Sequence, residues 1–246
     1  MDNAVYILGI NGSPRSYGNT CRLLRIALEV AKREGAHTKL INLYDYDIKP
    51  CLGCLADIQE ACRYPCVIDD DMKQLYDEIL KADGLIIATP IYWFGVSGIL
   101  KNFIDRLTAL ENMIFVEGRS WLEGKVLGVI AVGNDSGDIE ALSHIVLALN
   151  FMGLIIPPWS LACTTERNPL SNENMVLEAA NVGRCVVIMA KLVKNAGICW
   201  YSKDIKELSK IKNRVMTEAE RDFQRVRDER LKIITKLLKD SYETLE

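Results

Sequence analysis

Five short apolar runs alternate along this chain with segments of helical apolar spacing, and that alternation restricts the fold more than any other feature. The runs are residues 4–10 (AVYILGI), 38–43, 84–89 (GLIIAT), 126–132 (VLGVIAV) and a fifth that starts at 154–156 and resumes after Pro157 and Pro158. A strand with one wet face alternates polar and apolar residues, so continuous runs predict strands covered on both faces. Between them, residues 19–33, 69–82, 97–110, 139–152 and 172–195 predict helices. In the first, Leu23, Leu24, Ala27, Leu28 and Ala31 share a face and Gly35 stops the helix. Asp69, Asp70 and Asp71 bring negative charge to the start of the second, where the helix dipole favours it. Strands alternating with helices build parallel βαβ units, so residues 1–200 predict a three-layer α/β domain.

Residues 201–246 read differently. They carry many charges of both signs and contain no Gly or Pro. Apolar residues recur three and four apart: Ile205, Leu208, Ile211, Val215, then Phe223, Val226, Ile234 and Leu237. This predicts an amphipathic helix or helix pair appended to the domain. Its stripe faces either its own domain or a second subunit.

Composition excludes several classes. Hydrophobic residues make up 49% of the 246 and charged ones 26%, the balance of a soluble globular protein. A net charge of -3 gives no basic surplus for nucleic acid or an anionic membrane surface. No apolar run reaches the roughly 18 residues that span a bilayer, and the start of the chain lacks the pattern of a secretory signal. The expected location is cytoplasmic, with neither nucleic acid nor membrane as partner.

Candidate ligand residues gather where strands end. Parallel sheets bind ligands beyond the carboxyl ends of their strands. The first such turn, Asn11 to Thr20, opens a helix whose free N–H groups suit an anion. Ser13, Ser16 and Thr20 add hydroxyls, Arg15 a fixed cation, and Asn19 a cap or an amide donor, with Gly18 among the candidate cofactor-binding residues of the turn. Neither G-x-G-x-x-G nor G-x-x-x-x-G-K-[ST] is present, so a terminal phosphate fits better than a dinucleotide or triphosphate. The third strand runs into Pro90, Ile91, Tyr92, Trp93 and Phe94, where a flat aromatic cofactor could stack. The fourth ends at Gly133 and Asn134, where a missing side chain lets backbone approach a ring. One phosphate loop and two ring loops match the layout of FMN. No Ser-His-Asp or Cys-His set is evident around the two histidines, His37 and His144.

These segments resemble the NAD(P)H-dependent FMN reductase and flavodoxin-like quinone reductase family, and within it the iron–sulfur flavoproteins and their cluster-free relatives. The matching pieces are Gly12-Ser13-Pro14-Arg15 with Gly18-Asn19-Thr20, Pro90-Ile91-Tyr92-Trp93 with residues 100–106 (LKNFIDR), residues 67–72 (VIDDDM), and Val132-Gly133-Asn134. The resemblance implies a flavodoxin-like, doubly wound, five-stranded parallel sheet of order 2-1-3-4-5, with the helical tail appended. It implies FMN phosphate on Ser13, Arg15, Ser16, Asn19 and Thr20, and the isoalloxazine ring on residues 90–94 and near Gly133 and Asn134. It further implies that flavin N5, not a side chain, carries the chemistry. The donor is then NAD(P)H, the acceptor a quinone, flavin or nitro compound, and the assembly a homodimer or homotetramer. A flavodoxin-like carrier without its own substrate is the alternative.

Four of the eight cysteines, Cys51, Cys54, Cys62 and Cys66, fall within sixteen residues. In a reducing cytosol such a group points to metal or redox chemistry rather than to disulfides. Iron–sulfur flavoproteins show a compact C-x2-C-x2-C and a fourth cysteine. Here Asp57 stands where the third is expected, and Cys62 is the available substitute. The open readings are a [4Fe–4S] cluster acting as a one-electron relay, zinc on four thiolates, a redox-active Cys51–Cys54 pair, and buried thiols without function.

Overall fold

The computed structural model describes residues 4–243. Those up to Trp200 form one compact unit and those from Tyr201 onward a second. In the first, β1 (Tyr6–Asn11), β2 (His37–Asn42), β3 (Gly84–Pro90), β4 (Val126–Val132) and β5 (Leu161–Thr164) make one sheet of order β2-β1-β3-β4-β5. All four pairings are parallel. This is the flavodoxin-like order expected from the resemblance. Apart from the half-buried ends Tyr6 and Pro90, β1, β3 and β4 are buried throughout, which is why they read as unbroken apolar runs. Edge strand β2 buries only Ile41 and alternates polar residues.

Five helices cover the sheet. On one face, α1 (Asn19–Arg33) and α5 (Glu173–Val193) pack against Ile7, Ile86 and Ile130. On the other, α2 (Met72–Lys81), α3 (Gly98–Arg106) and α4 (Asp138–Phe151) pack against Leu8, Leu85 and Leu127. Successive strand residues point to opposite faces, so neighbouring apolar residues feed both cores. The second unit contains one continuous helix, α6 (Ile205–Glu243), and not a pair. Among the described residues no helix is long and apolar enough to cross a membrane.

Two boundaries differ from the sequence reading. Residues 154–156 form no strand: Ile155 makes one isolated bridge to Val126. Pro157 and Pro158 interrupt the backbone, Trp159 turns it at φ 61°, and β5 then pairs Leu161 with Val129. The helix expected over 97–110 ends at Arg106 and gives way to short helices at Thr108–Glu111 and Met113–Val116.

Helices α1 and α5 touch through backbone. A Cβ on Gly183 would lie 2.0 Å from the carbonyl oxygen of Ala27. Neither helix can yield without leaving the sheet. Gly183→Ala is therefore expected to lower stability by about 3 kcal/mol through overpacking, read as a fall in the urea midpoint followed by far-UV circular dichroism.

Candidate functional site

Asn11 shapes the first loop. Its Oδ1 accepts the N–H of Ser13 at 3.1 Å, and its Nδ2 donates to the Ser13 carbonyl and to Asn42 Oδ1. Ser13 Oγ then accepts the N–H of Arg15 at 3.1 Å. Helix α1 follows with Gly18 at its N-cap, so no side chain caps it and its first N–H groups have no side-chain acceptor. Asn19, a candidate cap in the sequence reading, lies inside the first turn and donates instead to the carbonyl of Arg167 at 3.1 Å.

The loop after β3 is tied to this one. Ser97 Oγ donates to the Gly12 carbonyl at 2.7 Å, and the Ser97 N–H donates to Thr89 Oγ1. Tyr92 and Gly95 exchange two backbone hydrogen bonds, of 2.9 and 3.0 Å. Between them Trp93 (φ 50°) and Phe94 (φ 63°) both hold positive φ, as a type I′ turn demands. Asn and Gly normally fill these places; aromatic residues there are strained. Gly137 receives the turn, since a Cβ on it would come within 2.7 Å of Phe94 Cα. Trp93 is 96% exposed.

These loops enclose a cavity of about 540 Å³, within the range of small-molecule sites. Ten of the thirteen residues singled out from sequence line it: Ser13, Arg15, Gly18, Asn19 and Thr20, Pro90, Ile91 and Tyr92, and Gly133 and Asn134. Ser16, Trp93 and Phe94 are exposed and lie outside that lining. Arg167, absent from the sequence reading, completes the wall. The guanidinium groups of Arg15 and Arg167 have no hydrogen bond or ion pair among the described residues, so two fixed cations share one cavity with an uncapped helix start.

The four clustered cysteines line a second, smaller recess with Leu52, Arg106 and Thr108. All are free thiols. Burial, and then the neighbouring Cys51, Cys54 and Cys66, push the Cys62 thiol up to about 11. Asn112, fully buried, donates to the carbonyls of Gln59 and Cys62 at 2.8 and 2.7 Å and fixes the far side of the loop. Among the described residues no three His, Cys, Asp or Glu side chains converge closely enough to hold a metal ion. The ends of the loop are clamped by Arg106. Its Nη1 and Nη2 grip the two oxygens of Asp70 at 2.5 and 3.1 Å, and Nη1 also donates to the Lys49 carbonyl. Both side chains are at most 1% exposed. Burial alone would raise the Asp70 carboxyl, but the bonds from Arg106 and from the N–H groups of Lys49 and Met72 outweigh it and hold the carboxyl below its ordinary value.

Comparison with known proteins shows the family and the fold. Residues 5–166 match the family model described as NADPH-dependent FMN reductase. An iron-sulfur flavoprotein of Methanocaldococcus jannaschii is 39% identical over 127 residues, covering 52% of this chain and 61% of that protein. YwqN of Bacillus subtilis, assigned as an NAD(P)H-dependent FMN-containing oxidoreductase, is 34% identical over 179 residues, covering 70% of this chain and 92% of that one. The crystal structure of RosB with a bound 8-demethyl-8-formylriboflavin-5'-phosphate intermediate superimposes with a TM-score of 0.70 over 85% of this chain and 87% of that chain. At 19% identity that likeness establishes the fold alone.

The Asp70 clamp is testable without any cofactor. Its folded pKa is depressed, so its stabilisation is complete above the unfolded Asp value near about 4 and is lost as pH falls through the folded value. Asp70→Asn, which strands a buried guanidinium, is expected to cost about 3 kcal/mol at pH about 7. The gap between wild-type and variant urea midpoints narrows on acidification to about pH 3.

Proposed function

We propose a function from one premise: the chain belongs to the NADPH-dependent FMN reductase family. The 540 Å³ cavity is the FMN site of an NAD(P)H-dependent oxidoreductase. The observation that carries this reading is the convergence of an uncapped helix start and two unpaired guanidinium groups beside a strained aromatic turn. A doubly charged phosphate satisfies the first part, and a planar ring suits the second.

The roles follow from position. Ser13, Thr20 and the first N–H groups of α1 donate to the phosphate oxygens, while Arg15 and Arg167 neutralise them. Ser16 is exposed on the same turn and takes no part in lining the cavity. Pro90, Ile91 and Tyr92, packed beside Gly133 and Asn134, form the ring end of the cavity. Gly133 carries no Cβ, which would lie 2.9 Å from Ile91 Cδ1. The bonds from Ser97 to Gly12 and Thr89 keep phosphate loop and ring loop in fixed relation. When bound, FMN supplies the redox chemistry, taking hydride from NAD(P)H and passing electrons on. The exposed faces of Trp93 and Phe94 suit planar acceptors such as quinones, free flavins and nitroarenes. Eight free thiols suit a reducing cytoplasm.

A second cofactor is favoured by the four thiols around one recess. Zinc at about 2.3 Å from each sulfur needs sulfurs about 3.8 Å apart, and no such convergence exists among the described residues. A [4Fe–4S] cluster takes one thiolate per iron and tolerates wider spacing, so Cys51, Cys54, Cys62 and Cys66 fit it better as a donor set. The free space between them is about 20 Å³, so the loop must open around a cluster. With it the protein is a one-electron relay; without it, a two-electron reductase.

Three measurements test these assignments. Arg15→Ala and Arg167→Ala should each weaken FMN binding about 10- to 100-fold and leave riboflavin binding unchanged. Equal losses for both ligands would remove the phosphate assignment. Anaerobically purified protein should contain about four iron and four sulfide per chain, and their absence after reconstitution eliminates the relay. Steady-state NAD(P)H oxidation with a quinone separates the reductase from a flavodoxin-like carrier, which shows almost none.

A further inference from the structure

Helix α6 contains 39 residues without a break, about 58 Å at 1.5 Å per residue. Ile205, Leu208, Ile211, Val215, Phe223, Val226, Ile233 and Leu237 lie along one face, with Met216, Leu231, Ile234 and Leu238 widening it, and all of these are exposed. A helix polar elsewhere gains nothing from such a stripe in water; it needs a surface to bury it. The order of the stripe says which surface. Counted outward from the point between Asp222 and Phe223, three apolar pairs repeat in reverse: Ala219 answers Val226, Ile211 answers Ile234, and Leu208 answers Leu237. A two-fold axis through that point lays a second copy antiparallel on the first with these pairs opposite one another.

The charges carry the same symmetry. Glu218 and Glu220 flank Ala219, and Arg225 and Arg227 flank Val226. Antiparallel pairing puts both carboxylates beside both guanidinium groups, on each half of the contact. Parallel pairing stacks glutamate on glutamate and arginine on arginine, which is repulsive. The present partners of Arg225, Asp222 at 3.3 Å and Glu229 at 3.6 Å, are exposed neighbours on the same helix, and such pairs are weak and easily exchanged. Arg230 stands opposite Val215, and Asp222 opposite Phe223, which lies beside the axis and there meets its own copy; Met216 and Leu231 fall opposite Glu229 and Arg214 at the edge of the contact. The aliphatic stem of Arg230 can cover Val215 while its head reaches water. Over the central turns the spacing is closer to an eleven-residue than a seven-residue repeat, which favours a nearly straight pair.

We propose that α6 is a self-recognition element: two copies of this chain associate through an antiparallel pair of α6 helices centred between Asp222 and Phe223. This does not depend on the flavin assignment. Charge reversal in the full-length protein tests it, with particle mass measured by sedimentation velocity and light scattering at tens of micromolar. Glu218→Arg with Glu220→Arg should halve the mass, and so should Arg225→Glu with Arg227→Glu. All four reversals together should restore the wild-type mass, as should mixing the two double variants. Far-UV circular dichroism confirms that each variant is folded. A monomeric wild type, double variants of unchanged mass, or a fourfold variant that stays dissociated each overturns the proposal.

Discussion

The buried Arg106–Asp70 pair organises a stretch of chain that has almost no regular structure of its own. Between β2 and α2 the backbone makes only short helical turns and carries four thiols that cannot bond one another's chain into a strand. Burying two charges costs several kcal/mol per ion unless geometry and further hydrogen bonds offset it. Here they do: the contact is bidentate, Asp70 accepts two backbone N–H groups, and Arg106 also reaches the Lys49 carbonyl. Among the described residues, Arg106 Nε and Asn112 Oδ1 are the buried side-chain atoms left without a partner. The result pins residues 49 and 70, the two ends of the loop, to the end of α3. Asn112 does the same from the far side. The ends of the thiol-bearing loop are therefore fixed by the scaffold, while the thiols between them stand around a recess of only about 20 Å³.

Rigidity at the larger cavity is obtained differently. Positive φ at two aromatic residues costs of order 1–3 kcal/mol each. That strain persists because the surroundings leave the turn no alternative. Gly137 makes room for the backbone of Phe94, Tyr92 and Gly95 close the turn with two hydrogen bonds, and Ile91 donates its N–H to the Val132 carbonyl at 3.0 Å. Replacing the strained pair with Asn-Gly would relax the turn but delete the two exposed rings. Strain kept beside a cavity, where a cheaper sequence exists, points to use of the side chains rather than to folding.

Much of this was legible in the sequence, and the parts that were not share a cause. β1, β3 and β4 are central strands whose burial on both faces writes itself as an apolar run. The loops at their carboxyl ends were therefore locatable, and ten of the thirteen residues named from them line one cavity. β5 is a short edge strand with an exposed Leu161, placed after two prolines, and gives no such run. Because its start was misplaced, its carboxyl end was too, and Arg167 just beyond it went unseen. The clamp was hidden for another reason. Arg106 sits in an ordinary amphipathic helix and Asp70 among three aspartates, where local charge at a helix start is sufficient explanation. Only the fold, which brings positions 36 residues apart into one buried contact, distinguishes Asp70 from its neighbours.

The two units obey different rules of stability. The first buries two apolar cores against one sheet. Helix α6 has helix-forming residues throughout and exposed ion pairs between neighbours, each worth a few tenths of a kcal/mol. Most helical stability in proteins, however, comes from packing an amphipathic face. A stripe that pairs with its own copy ties the order of α6 to concentration, because association adds stability by mass action.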